Sequence, residues 1–163
     1  MEQLHKIAQA YYHAAPENIK QSAKEFIKRM DTNGDGNVKL HEFLAFTKKE
    51  GYVQMSNPHF FNDLIWNDSF GFWEGMTLYY IVQSGRPFCD GCGTFIKGMY
   101  FTCVQCFEKG KSFNIGISCF GSRSYVHEHQ DQFLDNFYCL RNQGKLNVNV
   151  VRLYKLSHTT FVL

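Results

Sequence analysis

Four of the six cysteines fall in two Cys-x2-Cys pairs, Cys89 with Cys92 and Cys103 with Cys106, and this spacing limits what the chain around them can fold into. Two residues between cysteines allow one tight turn to present both sulfurs to a metal ion. From Arg86 to His129 the sequence is rich in Cys, Gly and aromatic residues and has no sustained helical period. A segment of that length has too little apolar material for an independent core, so metal is its expected organiser. Six cysteines among 163 residues are too few for a secreted disulfide scaffold. In a reducing compartment, paired spacing of this kind favours metal over disulfides.

The pattern continues with Cys119 in SCF and with His127 and His129 in HEH. Together with FCDGCG and Y-F-T-C, it resembles the ZZ-type zinc finger. The resemblance implies ligands interleaved around two zinc ions: Cys103, Cys106, His127 and His129 as a complete site, and Cys89, Cys92 and Cys119 as the other. In FNIGISCF, Gly116 stands where that family has a cysteine, after a longer linker. Three thiolates leave a position for water, for Cys139 or for another donor, or the site is lost, so one or two Zn2+ are expected. An open zinc position invites a catalytic reading. Against it, three thiolates make a poor Lewis acid and no general base stands at a defined spacing from Gly116. A simpler alternative is one ribbon site of Cys89, Cys92, Cys103 and Cys106, with His127 and His129 as surface histidines. Cys139 matches no metal motif and reads as a small buried apolar residue. The resemblance also implies a peptide amino-terminus contact at Asp90, with uncharged Asn114 where a second acid would stand.

The first half reads as helices. Leu4, Ile7, Ala8 and Tyr11 recur at helical spacing, and after Pro16 so do Ile19, Ala23, Phe26, Ile27 and Met30. Further helices are expected over 40–49, from Pro58 through Leu64 behind a Ser56–Asn57 cap, and over 72–83 up to Gly85. Between the second and third lies DTNGDGNVKLHE, residues 31–42, which resembles the EF-hand calcium loop. Calcium takes six to eight hard oxygens, which such a loop supplies at positions 1, 3, 5, 7, 9 and 12. Asp31, Asn33 and Asp35 offer side-chain oxygens, Asn37 its carbonyl and Glu42 both carboxylate oxygens, while Gly36 makes the sharp turn. Lys39, at position 9, departs from the pattern and adds charge of the wrong sign. Binding of one Ca2+ on the order of micromolar to tens of micromolar is expected; the plain alternative is a polar turn. A second loop, 63–74, keeps Phe70 and Glu74 at positions 8 and 12. It has Ile65 at 3, Asp68 at the glycine position and Gly71 at 9, so it is expected to support the first loop, with Phe70 opposite Val38.

The expected fold is therefore mainly α: an EF-hand pair over 1–85, then a small zinc-stabilised α+β ZZ-like finger over 86–130. Residues 131–163 are left with a helix near 132–140 and a strand through Leu146, Val148 and Val150. The order of modules resembles small plant proteins with this layout, which implies an adaptor role. Seventeen basic against fifteen acidic residues give +2, scattered rather than striped, so no nucleic-acid partner is expected. No apolar run approaches a membrane span, and the start lacks a signal-peptide core and a Gly at position 2, so a cytoplasmic or nuclear protein is expected. These features predict a non-enzymatic protein that contacts a protein or peptide partner under calcium control. The alternatives are a ubiquitin-ligase-type enzyme using the finger, or a scaffold indifferent to calcium.

Overall fold

The computed structural model describes residues 1–129 and 132–141 and divides the chain into two compact units, Met1–Arg86 and Pro87–Leu163. About half of it is helical, with one small three-stranded antiparallel sheet. Among the described residues no helix is long and apolar enough to cross a membrane. The strand expected at Leu146, Val148 and Val150 lies outside the described residues.

The first unit holds α1 (Glu2–Ala14), α2 (Glu17–Met30), α3 (Leu40–Lys49), α4 (Pro58–Leu64) and α5 (Phe72–Ser84). The first three each bury one face at helical spacing: Leu4, His5 and Ala8 from α1, Ala23, Phe26 and Met30 from α2, Phe43, Phe46 and Thr47 from α3. Pro16 is extended and ends the continuity between α1 and α2. Asn57 accepts from the Phe60 amide at 2.9 Å and Pro58 occupies the first turn, which starts α4 as its cap sequence predicts. Gly85, at φ 61°, closes α5 in the left-handed conformation.

α5 is buried almost all round from Glu74 to Ile81 because it packs against α1, α2 and α4. Where it crosses α2, a Cβ at Gly75 would lie 2.7 Å from Ile27 Cγ1, so only glycine lets the two helices approach this closely. Phe43, Phe61 and Phe70 form a ring cluster with centroids 5.2 to 5.8 Å apart, and Phe26 meets Phe46 and Tyr79 edge-on. One backbone bond joins the loops 31–42 and 63–74, from the Val38 amide to the Phe70 carbonyl at 2.8 Å.

The second unit repeats one device three times: a short strand runs straight into a short helix. These are β1 (Tyr100–Cys103) with α6 (Val104–Glu108), β2 (Asn114–Gly116) with α7 (Ile117–Gly121), and β3 (Phe133–Asp135) with α8 (Asn136–Arg141). The sheet order is β2-β1-β3, with Phe101 opposite Ile115 on one side and Asp135 on the other. The third turn corrects the helix expected from 132. Residues 133–135 are instead β3, because β1 has an open edge and the Val104 amide donates to the Gln132 carbonyl at 2.8 Å. Non-local pairing outweighs the local helical pattern here. Asp135 then accepts the Tyr138 amide at 3.0 Å and starts α8. The sheet thereby extends past residue 130, where the finger was expected to end.

The buried cluster of this unit is Cys89, Ile96, Cys103, Cys106, Ile115, Cys119 and Phe133, with Tyr100, Phe101, Phe113, Phe120 and Tyr125 packed against it. Four of its seven buried members are cysteines, so the core and the candidate ligands are largely the same side chains.

Candidate metal centres

Two groups of metal-ligating side chains form among the described residues: Cys103, Cys106, His127 and His129, and Cys89, Cys92 and Cys119. Within each group the donor atoms lie within 4.8 Å of one another. The cysteine pairs therefore serve different clusters, and the single ribbon site is not formed.

The first cluster is built by the β1–α6 turn. Cys103 ends the strand and caps the helix, Cys106 follows within its first turn, and both are buried. Its imidazoles come from the stretch after α7. Cys106 Sγ is 3.4 Å from His127 Nε2 and 3.5 Å from His129 Nδ1, and Cys103 Sγ is 3.6 Å from His129 Nδ1. With Zn–S near 2.3 Å and Zn–N near 2.0 to 2.1 Å, the S···N edge of a tetrahedral zinc site is about 3.6 Å. The donors thus stand at the separations zinc requires. Burial, and then His129, hold the His127 imidazole below its ordinary pKa, so it is neutral and available as a donor near pH 7. Its ring lies flat on Phe113 at 3.7 Å, and His129 Nε2 is 3.4 Å from Glu128, which helps set that ring's orientation. Burial pushes the Cys103 thiol up to about 11, so a metal entering here must displace a proton.

The second cluster begins at the Cys89–Cys92 turn, closed by Gly93 at φ 74°, whose amide donates to the Cys89 carbonyl at 2.7 Å. A Cβ at Gly91 would meet the Ser124 carbonyl at 2.8 Å, so glycine lets this turn pass the segment after α7. Cys119 comes from α7. Cys92 is exposed, and the Thr94 hydroxyl 2.9 Å from its sulfur holds the thiol down to about 7. Cys119 goes the other way, up to about 12, by hydrogen bonding with Cys92 and by burial. The Gly116 amide donates to Cys89 Sγ at 3.3 Å. Cys139 belongs to neither cluster; it is 1% exposed with its sulfur 4.0 Å from the Leu134 carbonyl, as a small buried residue.

The three carboxylates of 31–42 are not gathered into a third group. Glu42 Oε1 accepts the Thr32 hydroxyl and the Thr32 and Asn33 amides (2.9 and 3.2 Å), while Oε2 takes the Lys39 amide at 2.9 Å. The Lys39 amide, and then the Thr32 hydroxyl, hold its carboxyl down to about 2. Asp31 accepts the Gly34 and Gly36 amides at 3.0 and 2.9 Å. Asn33 Oδ1 takes the Asp35 amide and Asp35 Oδ1 the Asn37 amide, at 2.9 and 2.8 Å. Lys39 Nζ stands 3.5 Å from Asp35. Glu74 repeats the Glu42 bond to its own helix start, taking the Gly71 amide at 3.0 Å.

Asp90 lies beside Asn114, as the peptide-contact reading requires. Its Oδ2 accepts the Asn114 amide at 2.6 Å, and Asn114 Oδ1 takes the Thr102 hydroxyl at 2.9 Å. Sequence reasoning missed Thr94, Phe113 and Glu128, which orient ligands without holding metal. Thr94, two residues after Cys92, and Glu128, between two candidate histidines, were legible; the Phe113–His127 stack was not, since it joins positions fourteen apart. No protein-family model, curated protein or solved structure matches the chain, so what the two clusters can do follows from their own chemistry.

Proposed function

We propose that this chain is a zinc- and calcium-binding interaction protein without catalytic activity, an EF-hand pair followed by a ZZ-like finger. The observation that carries the reading is the Cys103, Cys106, His127 and His129 cluster, whose S···N separations of 3.4 to 3.6 Å suit tetrahedral zinc. Zinc there is structural: four protein donors leave no open position for substrate. A second zinc belongs with Cys89, Cys92 and Cys119.

One calcium ion enters the loop 31–42, held by Asp31, Asn33, Asp35 and Glu42 side chains and the Asn37 carbonyl. The price of entry is Glu42's bonds to Thr32 and Asn33, and that exchange shifts the start of α3. The finger contacts a protein or peptide, with Asp90 meeting a peptide's terminal ammonium. Native mass spectrometry of protein purified without chelator tests the metals: one or two zincs and one added calcium are expected. Capture of a peptide-library ligand with and without calcium tests the coupling, which identical capture would defeat.

A second reading is a zinc-dependent scaffold indifferent to calcium. It is favoured by the loop's internal satisfaction, with Glu42 taking donors from Thr32, Asn33 and Lys39 and with Lys39 paired to Asp35. No calcium bound at millimolar concentration would establish it.

A further inference from the structure

The β1–α6 and β2–α7 turns have the same backbone course with different chemistry at one position. Cys103, at φ −65° and ψ 118°, caps a five-residue helix and is followed three residues later by Cys106. Gly116, at φ −63° and ψ 153°, caps another five-residue helix and is followed three residues later by Cys119. Where the first turn delivers two thiolates to its cluster, the second delivers one. Gly116 contributes only its amide, 3.3 Å from Cys89 Sγ. A Cβ placed on it would stand 3.9 Å from that sulfur and within 4 Å of no other atom beyond its chain neighbours. The place where Cys103 puts a CH2–S group is therefore open space at Gly116, against the edge of the three-thiolate cluster. Neighbouring Cys92, Ser118 and Ile117 are exposed, so a small molecule can reach it.

Resting on the reading that Cys89, Cys92 and Cys119 hold zinc, we propose that this ion takes its fourth ligand from outside the chain: a low-molecular-weight thiol, bound as thiolate beside Gly116. Zinc with three protein ligands keeps an exchangeable fourth position. The missing group is a CH2–S, and an alkyl thiol supplies that group with the softness the other three ligands already have. On binding, a Zn–S bond forms as a Zn–water bond breaks, and the thiol proton passes to solvent; no oxidation state changes. The Gly116 amide and the Thr94 hydroxyl already lie against two of the three protein sulfurs, where their dipoles offset the added negative charge.

The test uses the full chain loaded anaerobically with cobalt(II), in buffer free of thiol, titrated with 2-mercaptoethanol and followed by sulfur-to-cobalt charge-transfer absorption. Two cobalt ions per chain are expected. Absorption that scales with bound thiolates should rise by about one fifth as five ligand thiolates become six. Native mass spectrometry of the zinc form should show one thiol adduct per chain. Gly116→Cys should start near the higher absorption and lose the response, whereas Gly116→Ala, whose methyl has room but no donor, should keep it. The titration of the unsubstituted chain carries the result by itself, so it does not hang on one variant folding. Two cobalt ions with a spectrum indifferent to thiol would overturn the proposal. One cobalt ion with a two-thiolate spectrum would overturn it while leaving zinc at Cys103, Cys106, His127 and His129. No bound cobalt would overturn both.

Discussion

Replacing Glu42 by Gln tests the loop 31–42 in two steps. The carboxylate accepts four donors: the Thr32 hydroxyl and the Thr32, Asn33 and Lys39 amides. A glutamine keeps one acceptor oxygen and turns an NH2 toward donors at the other, so at least one charge-assisted bond to this buried side chain is lost, at about 1 to 3 kcal/mol. For a unit of this size each kcal/mol moves Tm by about 4 to 8 °C, so the variant should melt roughly 5 to 20 °C lower without calcium. The wild-type carboxyl, held near 2 against an ordinary 4.5, contributes its stability above pH 4.5 and loses it as the pH falls toward 2. Glu42→Gln should lose that acid-side slope. Calcium is the second step. With a Kd on the order of 10 μM, 1 mM calcium stabilises the wild type by about 2.7 kcal/mol, or roughly 10 to 20 °C, while the variant, short of one ligand oxygen, gains little. Differential scanning calorimetry of zinc-loaded protein measures both. Equal calcium shifts in the two proteins would refute Glu42 as a ligand. No shift in either would refute calcium binding in this loop.

His127→Ala should release one zinc and retain the other by native mass spectrometry; loss of none would dissociate His127 from the first cluster. A zinc chelator should abolish the amide dispersion of residues from Pro87 onward in an NMR spectrum and leave that of Met1–Arg86, since four of the seven members of the second unit's buried cluster are cysteines. Loss of both together would mean the units do not fold independently. His5 is buried, with Nδ1 2.8 Å from Thr77 Oγ1, its ring stacked on Trp66 and its Nε2 without a hydrogen-bond partner among the described residues; burial lowers its pKa. The unfolded chain therefore takes the proton first, so stability in urea should be flat above about pH 6.5 and fall below it, a slope that His5→Leu removes. A slope unchanged in His5→Leu would assign it elsewhere. Gly75→Ala should lower Tm by roughly 5 to 10 °C despite alanine's better helix propensity, because its methyl meets Ile27 Cγ1; a rise in Tm would show that α2 gives way freely.

The helices of the first unit were legible because a one-sided apolar period marks α1, α2 and α3, and explicit start or stop residues mark the others, such as Asn57–Pro58 before α4 and Gly85 after α5. The first candidate metal cluster was legible because two of its members sit in one turn, and the resemblance supplied the other two. β3 was not, because 132–140 carries a pattern that suits a helix, and only the open edge of β1 makes a strand of its first residues. Glu42 shows a different limit. A ligand position in a calcium loop is also the third residue of a helix, where glutamate caps the backbone, and the sequence alone assigns both roles to one side chain. Glu74 makes the same capping bond in a loop that has lost most other ligands, so glutamate at this place has a structural use of its own.

On the reading proposed above, that double role separates the two metals in what they would do to the protein. In the loop 31–42, Asp31, Asn33, Asp35 and Glu42 have amide or hydroxyl partners within hydrogen-bond reach, so calcium exchanges one set of satisfied oxygens for another and its net effect is small and reversible. In the second unit, buried thiols stand where another domain has leucine. Three nonpolar side chains, Ile96, Ile115 and Phe133, complete the buried cluster, and at roughly 1.5 to 3 kcal/mol each, even with the partly buried rings of Tyr100, Phe101, Phe113, Phe120 and Tyr125 packed on them, they fall short of the ordering cost of about 1 to 2 kcal/mol for each residue of the chain that surrounds them. On the proposed reading, zinc binding, worth about 10 kcal/mol or more in small modules, closes that gap. Zinc would then be a condition of the fold and calcium a modulation of one turn of it, and a signal would enter through the loop and through the exchangeable position beside Gly116 while the Cys103, Cys106, His127 and His129 cluster stayed filled.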